Sequence, residues 1–242
     1  MKIFLRKLHC YFYRYSVGFF YIVLWPFLYY FSRKPQRYND MNKVRRIWGF
    51  LSSIIAGIIY SFSFEEPIDW HKTYIICPNH TSNLDITAMS LMTKNNFCFM
   101  GKEELKDEFV TGIFFRSVDI PVNRESKLSS YRAFKKAAEA LASGISVIIF
   151  PEGMIPSEYP PQLNDFKNGP FRLAIDLKIP IIPVSSTNTW KILWDTGLDH
   201  GSKPGVCHIY VHKPVQTAHL KLDDADTLRD EIYGIINRKL VE

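Results

Sequence analysis

The chain has 242 residues, 47% of them apolar, and a formal net charge of +6. That length holds one catalytic domain with a short extension. The positive charge is concentrated in residues 1–46, where Asp40 is the single acid; a nucleic-acid-binding enzyme would carry it on its folded domain, so a membrane surface is the better partner.

Residues 16–32, SVGFFYIVLWPFLYYFS, carry no charge and lie between Arg6, Lys7 and Arg14 on one side and Arg33, Lys34 and Arg37 on the other. A helix over this run would be about 26 Å long, short of a ~30 Å hydrocarbon core. Pro26 is expected to kink or end it. Basic residues on both sides select no orientation, and Tyr29, Tyr30 and Phe31 lead into a basic segment where a signal peptide would have a small-residue cleavage site. The run Ile47–Ser63, IWGFLSSIIAGIIYSFS, is expected to be a second helix, with Ser52, Ser53, Ala56 and Gly57 allowing close helix approach. Together they suggest a membrane-associated helical hairpin packed in one leaflet, with aromatic rings such as Tyr11, Tyr21, Trp25 and Tyr30 at headgroup level. Two buried core helices of a soluble protein are the alternative. Residues 1–66 are thus expected to be an anchoring segment and residues 67–242 a separate catalytic domain.

Beyond Pro67, short apolar runs alternate with helical patterns, which predicts an α/β fold: a mixed, largely parallel sheet flanked by helices. Predicted strands are Thr73–Cys77, Phe97–Met100, Val118–Val122, Ser146–Phe150, Ile181–Ser185 and Val206–Val211. The clearest helices are Ser126–Ser143, closed by Gly144, and Asp223–Leu240, acidic at its start and basic at its end. Ligands of such folds collect where loops leave the carboxyl ends of strands. Polar clusters fall there at Asn79–Asp85, Asn123–Glu125 and Pro151–Gly153. Cys10, Cys77, Cys98 and Cys207 are far apart and form no CxxC pair, so neither a zinc site nor a disulfide framework is indicated, and a reducing, cytosol-facing location fits.

The run NHTSNLD carries the chemistry. His80 directly follows a predicted strand and is suited to act as a general base; Asp85, five residues on, can fold back to accept a hydrogen bond from the second ring nitrogen. The same residues read equally as a capping box, Ser82-x-x-Asp85, with Asn79 shaping the turn, and a covalent route through Ser82 is a further option. No well-placed G-x-S-x-G, P-loop or H-E-x-x-H is present, which removes the usual serine-hydrolase, nucleotide and metalloprotease readings.

Over roughly residues 70–215 the order of motifs resembles the glycerolipid acyltransferase family, most closely the bacterial type of lysophosphatidic acid acyltransferase. NHTSNLD resembles its NH-x-x-x-x-D block, implying His80 as base and Asp85 as its partner. GIFFRSVDIPVNR resembles the second block, whose arginine, here Arg124, is implicated in holding the acceptor's phosphate. FPEG resembles the third, in which Glu152 and Gly153 help form the acceptor site, and IPIIPV the fourth, a strand lining the site; in FKNGPFRLA before it, Lys167 is a further phosphate contact.

Read singly, Arg124 could pair with Glu125, Glu152 could cap a helix and Ile179–Val184 could be a core strand. The resemblance implies a phospholipid-biosynthetic enzyme of the inner-membrane cytoplasmic face that moves an acyl group from acyl-CoA or acyl carrier protein to the free hydroxyl of lysophosphatidic acid, giving phosphatidic acid. No cofactor or metal is implied beyond that thioester co-substrate, and the partners are membrane lipids, with no nucleic acid. One departure stands out: Met154, Ile155 and Pro156 replace the threonine, arginine and serine usual after the third block. A different monoacyl lipid, such as a lyso-aminolipid, is therefore the alternative acceptor, and a non-catalytic lipid-binding protein or a lipid hydrolase are alternative functions.

Overall fold

The computed structural model describes residues 2–242. Its first helix, α1 (Lys2–Ser32), continues through Pro26. At ~1.5 Å per residue it reaches roughly 46 Å, well beyond the length expected from residues 16–32 alone. Cys10, Tyr13, Ser16, Tyr21 and Leu28 are buried along it, while Phe12, Phe19, Trp25 and Tyr30 are exposed. Helix α2 (Tyr38–Ile55) returns alongside. The Ser16 hydroxyl donates to the Ser52 carbonyl at 2.8 Å, and the Trp48 ring N–H to the Val17 carbonyl at 3.0 Å.

The second apolar run does not form one helix. Helix α2 stops at Ile55, Gly57 takes a left-handed φ of +66°, and Ile58–Phe64 becomes strand β1. Glycine just past a helix end meets no Cβ penalty in that conformation, and the alternating segment after it suits a half-buried strand. Strand β1 pairs in parallel with β7 (Gly205–Val211). The sheet therefore starts inside residues 1–66, and the division drawn at residue 67 separates one of its strands from the rest.

The other strands are β2 (Ile75–Pro78), β3 (Phe97–Lys102), β4 (Ile120–Val122), β5 (Ser146–Ile149) and β6 (Ile181–Ser186). With β7 they correspond to the six predicted runs. They lie in the order β1-β7-β6-β2-β5-β3-β4, and every pairing is parallel except β6 with β7. Helices α3 (Leu84–Met92), α4 (Gly112–Phe115), α5 (Lys127–Ala142), α6 (Gly169–Leu177), α7 (Thr189–Ile192) and α8 (Ala225–Val241) complete the chain. Neighbouring residues of the central strands feed different cores: Ile75, Cys77, Val147 and Ile149 join one cluster, and Ile76, Ile148, Ile182 and Val184 another. Because β2, β5, β3 and β4 run the same way, the three polar clusters emerge at one edge of the sheet.

The hairpin is joined firmly to this domain. Arg45 of α2, 5% exposed, makes a bidentate ion pair with Asp119 at 3.2 and 2.6 Å and stands over the Phe114 ring at 3.9 Å. Arg46 donates to the carbonyls of Ser90, Thr93 and Asn95. These two charges of the basic N-terminal segment serve the interior and its loops. At the other end, His9 bonds the Ala56 carbonyl at 2.8 Å and the Ser202 hydroxyl at 2.6 Å, tying the start of α1 to a loop of the domain. A carbonyl only accepts, so Nε2 donates to Ala56, while Nδ1 pairs with the Ser202 hydroxyl, which can donate or accept.

Candidate active site

Strand β2 sits between β6 and β5, so the turn leaving it, Asn79–Asn83, is flanked by loops from both. Asn79, fully buried, locks one side: its amide oxygen accepts from Ser186 N–H at 2.7 Å and its amide nitrogen donates to the Ser186 carbonyl at 3.2 Å. Glu152 locks the other. Its carboxyl accepts the backbone N–H of His80 at 2.7 Å and that of Asn164 at 2.9 Å. Burial pushes this carboxyl up to about 8, the nearby Asp85 charge adding to the rise and the two backbone donors opposing it.

Between these ties, His80 Nδ1 lies 3.2 Å from Asp85 Oδ2. An ionised carboxylate only accepts, so Nδ1 carries a proton, and in the neutral ring it is Nε2 that holds the lone pair. The Asp85 side chain is fully buried and the His80 side chain 15% exposed, so the ring's far edge is the part that reaches out. Nε2 has no hydrogen-bond partner among the described residues. Phe150, the last residue before Pro151, stacks on the ring at 4.0 Å and 26°, fixing its plane.

Asp85 also serves the turn: Oδ2 accepts the N–H groups of Thr81 and Ser82 at 2.7 and 2.9 Å. One oxygen thus serves both the dyad and the carboxylate half of the capping reading, while the full box does not form: α3 starts after Asn83 with no side-chain cap, and Asp85 N–H bonds the Ser82 carbonyl. The Ser82 hydroxyl is buried and accepts from Leu84 N–H at 3.0 Å, with no bond to His80. Thr189 donates to Asp85 Oδ1 at 2.7 Å.

The remaining predicted residues converge at Gly153, whose φ is +82°. A Cβ added there would lie 3.2 Å from Arg124 Nη1 and 3.3 Å from Lys167 Cε, so two cations arriving from different loops meet over one bare backbone. Lys167 is held there by its own N–H, which donates to the Pro151 carbonyl at 3.0 Å. Desolvation lowers Arg124 from its ordinary value, opposed by Glu104, and no ion pair joins Arg124 to Glu125 among the described residues. The sites therefore divide in two. His80, Asp85 and Glu152 form the turn and its ties, while Gly153, Arg124 and Lys167 form a cationic patch beside it. Glu152 is turned inward, 3% exposed, and offers a ligand almost no surface.

Comparison with known proteins supplies the family. A family model described as acyltransferase matches residues 60–187, more than half of the chain. The chain belongs to that acyltransferase family. It is 29% identical over 194 residues to an uncharacterized acyltransferase of Schizosaccharomyces pombe, covering 79% of this chain and 69% of that protein. It is 26% identical to the chloroplastic 1-acyl-sn-glycerol-3-phosphate acyltransferase BAT2 of Brassica napus, covering 88% of this chain and 61% of the relative. Against 1-acyl-sn-glycerol-3-phosphate acyltransferase alpha of Mus musculus, the match is 26% over 66% of this chain and 56% of the mouse protein. The chain thus spans only part of these longer relatives. The crystal structure of the 1-acyl-sn-glycerophosphate acyltransferase PlsC from Thermotoga maritima shares the fold, with a TM-score of 0.81, 20% identity, and coverage of 99% of this chain and 96% of that one.

Two contributors left no recognisable mark in the sequence. Phe150 lay in a matched motif yet nothing there announces a ring stacked on His80, and Thr189 sits far along the chain from Asp85.

Proposed function

We propose that this protein is a membrane-bound acyltransferase that moves a fatty acyl group from a thioester, acyl-CoA or acyl carrier protein, to the free hydroxyl of lysophosphatidic acid. The observation that carries this reading is the His80–Asp85 pair, with Nδ1 committed to the carboxylate and Nε2 open on the exposed edge of the ring. The acceptor hydroxyl gives its proton to Nε2 as its oxygen bonds to the thioester carbonyl carbon. Collapse of the tetrahedral intermediate breaks the C–S bond, and the imidazolium returns the proton to the departing thiolate. Phosphatidic acid and a free thiol leave. Asp85 keeps the ring in the required tautomer, and Glu152 holds the His80 backbone.

Arg124 and Lys167 over Gly153 favour a phosphate-bearing acceptor, since charged donors over bare backbone suit an oxyanion. Met154, where the family usually has threonine, is exposed and brings no donor to this patch. That departure supports the second reading, a different monoacyl lipid such as a lyso-aminolipid as acceptor. The exposed face of α1, the one described helix long and apolar enough to cross a membrane, supports bilayer attachment. The ties of the start of α1 to Ser202 and of α2 to Asp119 support a hairpin that lies beside the domain in one leaflet, and the cytoplasmic face is part of the proposal.

The test is a panel of lysolipids in vesicles with an acyl thioester, following thiol and diacyl product together. Equal release of thiol and phosphatidic acid is expected. Fatty acid with thiol would indicate a hydrolase, preference for an acceptor without phosphate would replace the substrate, and lipid binding without thiol release would remove the enzyme.

A further inference from the structure

We propose that Thr189 is a positioning residue of the dyad, holding Asp85 by its second oxygen and thereby setting how readily His80 gives up its proton; the proposal rests on His80 being the base. Thr189 begins α7, just past β6, and is fully buried. Its hydroxyl donates to Asp85 Oδ1 at 2.7 Å, and Thr81 Oγ1 lies 3.1 Å from Thr189 Oγ1. With its one proton committed to the carboxylate, Thr189 accepts from Thr81, so a chain of two hydroxyls ends on Asp85. The load on the carboxylate is unequal. Oδ2 accepts from His80 Nδ1 and the N–H groups of Thr81 and Ser82, whereas Oδ1 has Thr189 as its one partner among the described residues.

Removing the hydroxyl leaves Oδ1 buried without a donor. The carboxylate then draws harder on a proton, and the dyad becomes protonated, hence inactive as a base, at higher pH. Glu152 and Cys207 are the other titratable groups that feel the Asp85 charge, and neither hydrogen-bonds to it. Both are present in every variant compared, so the difference between variants isolates the Thr189 hydroxyl.

The experiment compares Thr189→Val, Thr189→Ser and Thr81→Val in pH profiles of kcat/KM with acyl-CoA and lysophosphatidic acid. Thr189→Val is expected to lower kcat about tenfold, the scale of one lost hydrogen bond to a charged group, and to move the acidic limb up by roughly half a unit to one unit. Both KM values should hold, Thr189→Ser should restore rate and limb, and Thr81→Val should move the limb less. A Thr189→Val enzyme with wild-type rate and limb would overturn the proposal, as would equal impairment of Thr189→Val and Thr189→Ser. If the valine variant does not fold, Thr189→Ala carries the same comparison. Retained activity in His80→Ala would remove the base itself; an inactive His80→Ala beside an unaltered Thr189→Val would remove only Thr189.

Discussion

At Gly153 the backbone and its neighbours make separate demands. The φ of +82° is one that side-chain-bearing residues resist, and an added methyl would press on Arg124 and Lys167. Gly153→Ala is expected to cost about 1–2 kcal/mol of stability and to raise KM for lysophosphatidic acid while leaving KM for the thioester unchanged; an equal rise in both would contradict the phosphate patch. Glu152 makes a pH statement. Its carboxyl, at about 8 in the folded protein against an ordinary 4.5, holds a proton that the unfolded chain releases. Its contribution is therefore neutral below the unfolded value, and stability falls as pH rises from about 4.5 to about 8, by at most ~1.4 kcal/mol per unit. Urea melts of Glu152→Gln should show a flatter decline across that window than wild type, and an unchanged slope would place the shift elsewhere. The nearness of His80 and Asp85 was legible because they share one turn, but spacing left cap and dyad open and the family resemblance favoured the dyad. Thr189 and Phe150 were not, because strand pairing brings them to that turn, and the inward direction of Glu152 is likewise a property of the fold.

Among the elements, α2 has two faces with different work. Ile47, Phe50, Ile54 and Ile55 are exposed, while Asn42, Arg45 and Ser53 are buried. Arg45→Ala strands the Asp119 carboxylate, 6% exposed, without its cation. A loss of roughly 3–5 kcal/mol is expected, read as a lower urea midpoint; a change below about 1 kcal/mol would mean the pair is solvent-screened. The strands of the parallel core were readable because they are short apolar runs between helical patterns. Strand β1 was missed for the converse reason: it continues an apolar helix without a polar break, and Gly57 alone marks the change. Of the two effects expected of Pro26, a kink or an end, the end does not occur, because proline removes one backbone bond without preventing the helix from continuing on either side.

For the whole molecule, the sheet order puts β2 and β5 side by side with their carboxyl ends at one edge, so the His80 turn and the cationic patch are neighbours although their residues span Asn79 to Lys167. The hairpin packs on the same domain through Arg45, Arg46 and His9, with its aromatic face left uncovered. A rigid attachment of this kind would hold the site at a fixed height over a bilayer, where a lipid acceptor and an acyl chain are both within reach. The sequence motifs marked the acyltransferase family well and leave the acceptor more open, because Met154, Ile155 and Pro156 change the residues beside the cationic patch while sparing the turn. The central claim is that His80 is the base. The most direct measurement is thiol release by His80→Ala in vesicles with acyl-CoA and lysophosphatidic acid, alongside circular dichroism to verify folding. A fall on the order of 10²–10⁴ is expected, with the fold intact; a folded variant that transfers acyl groups at near the wild-type rate would contradict the account.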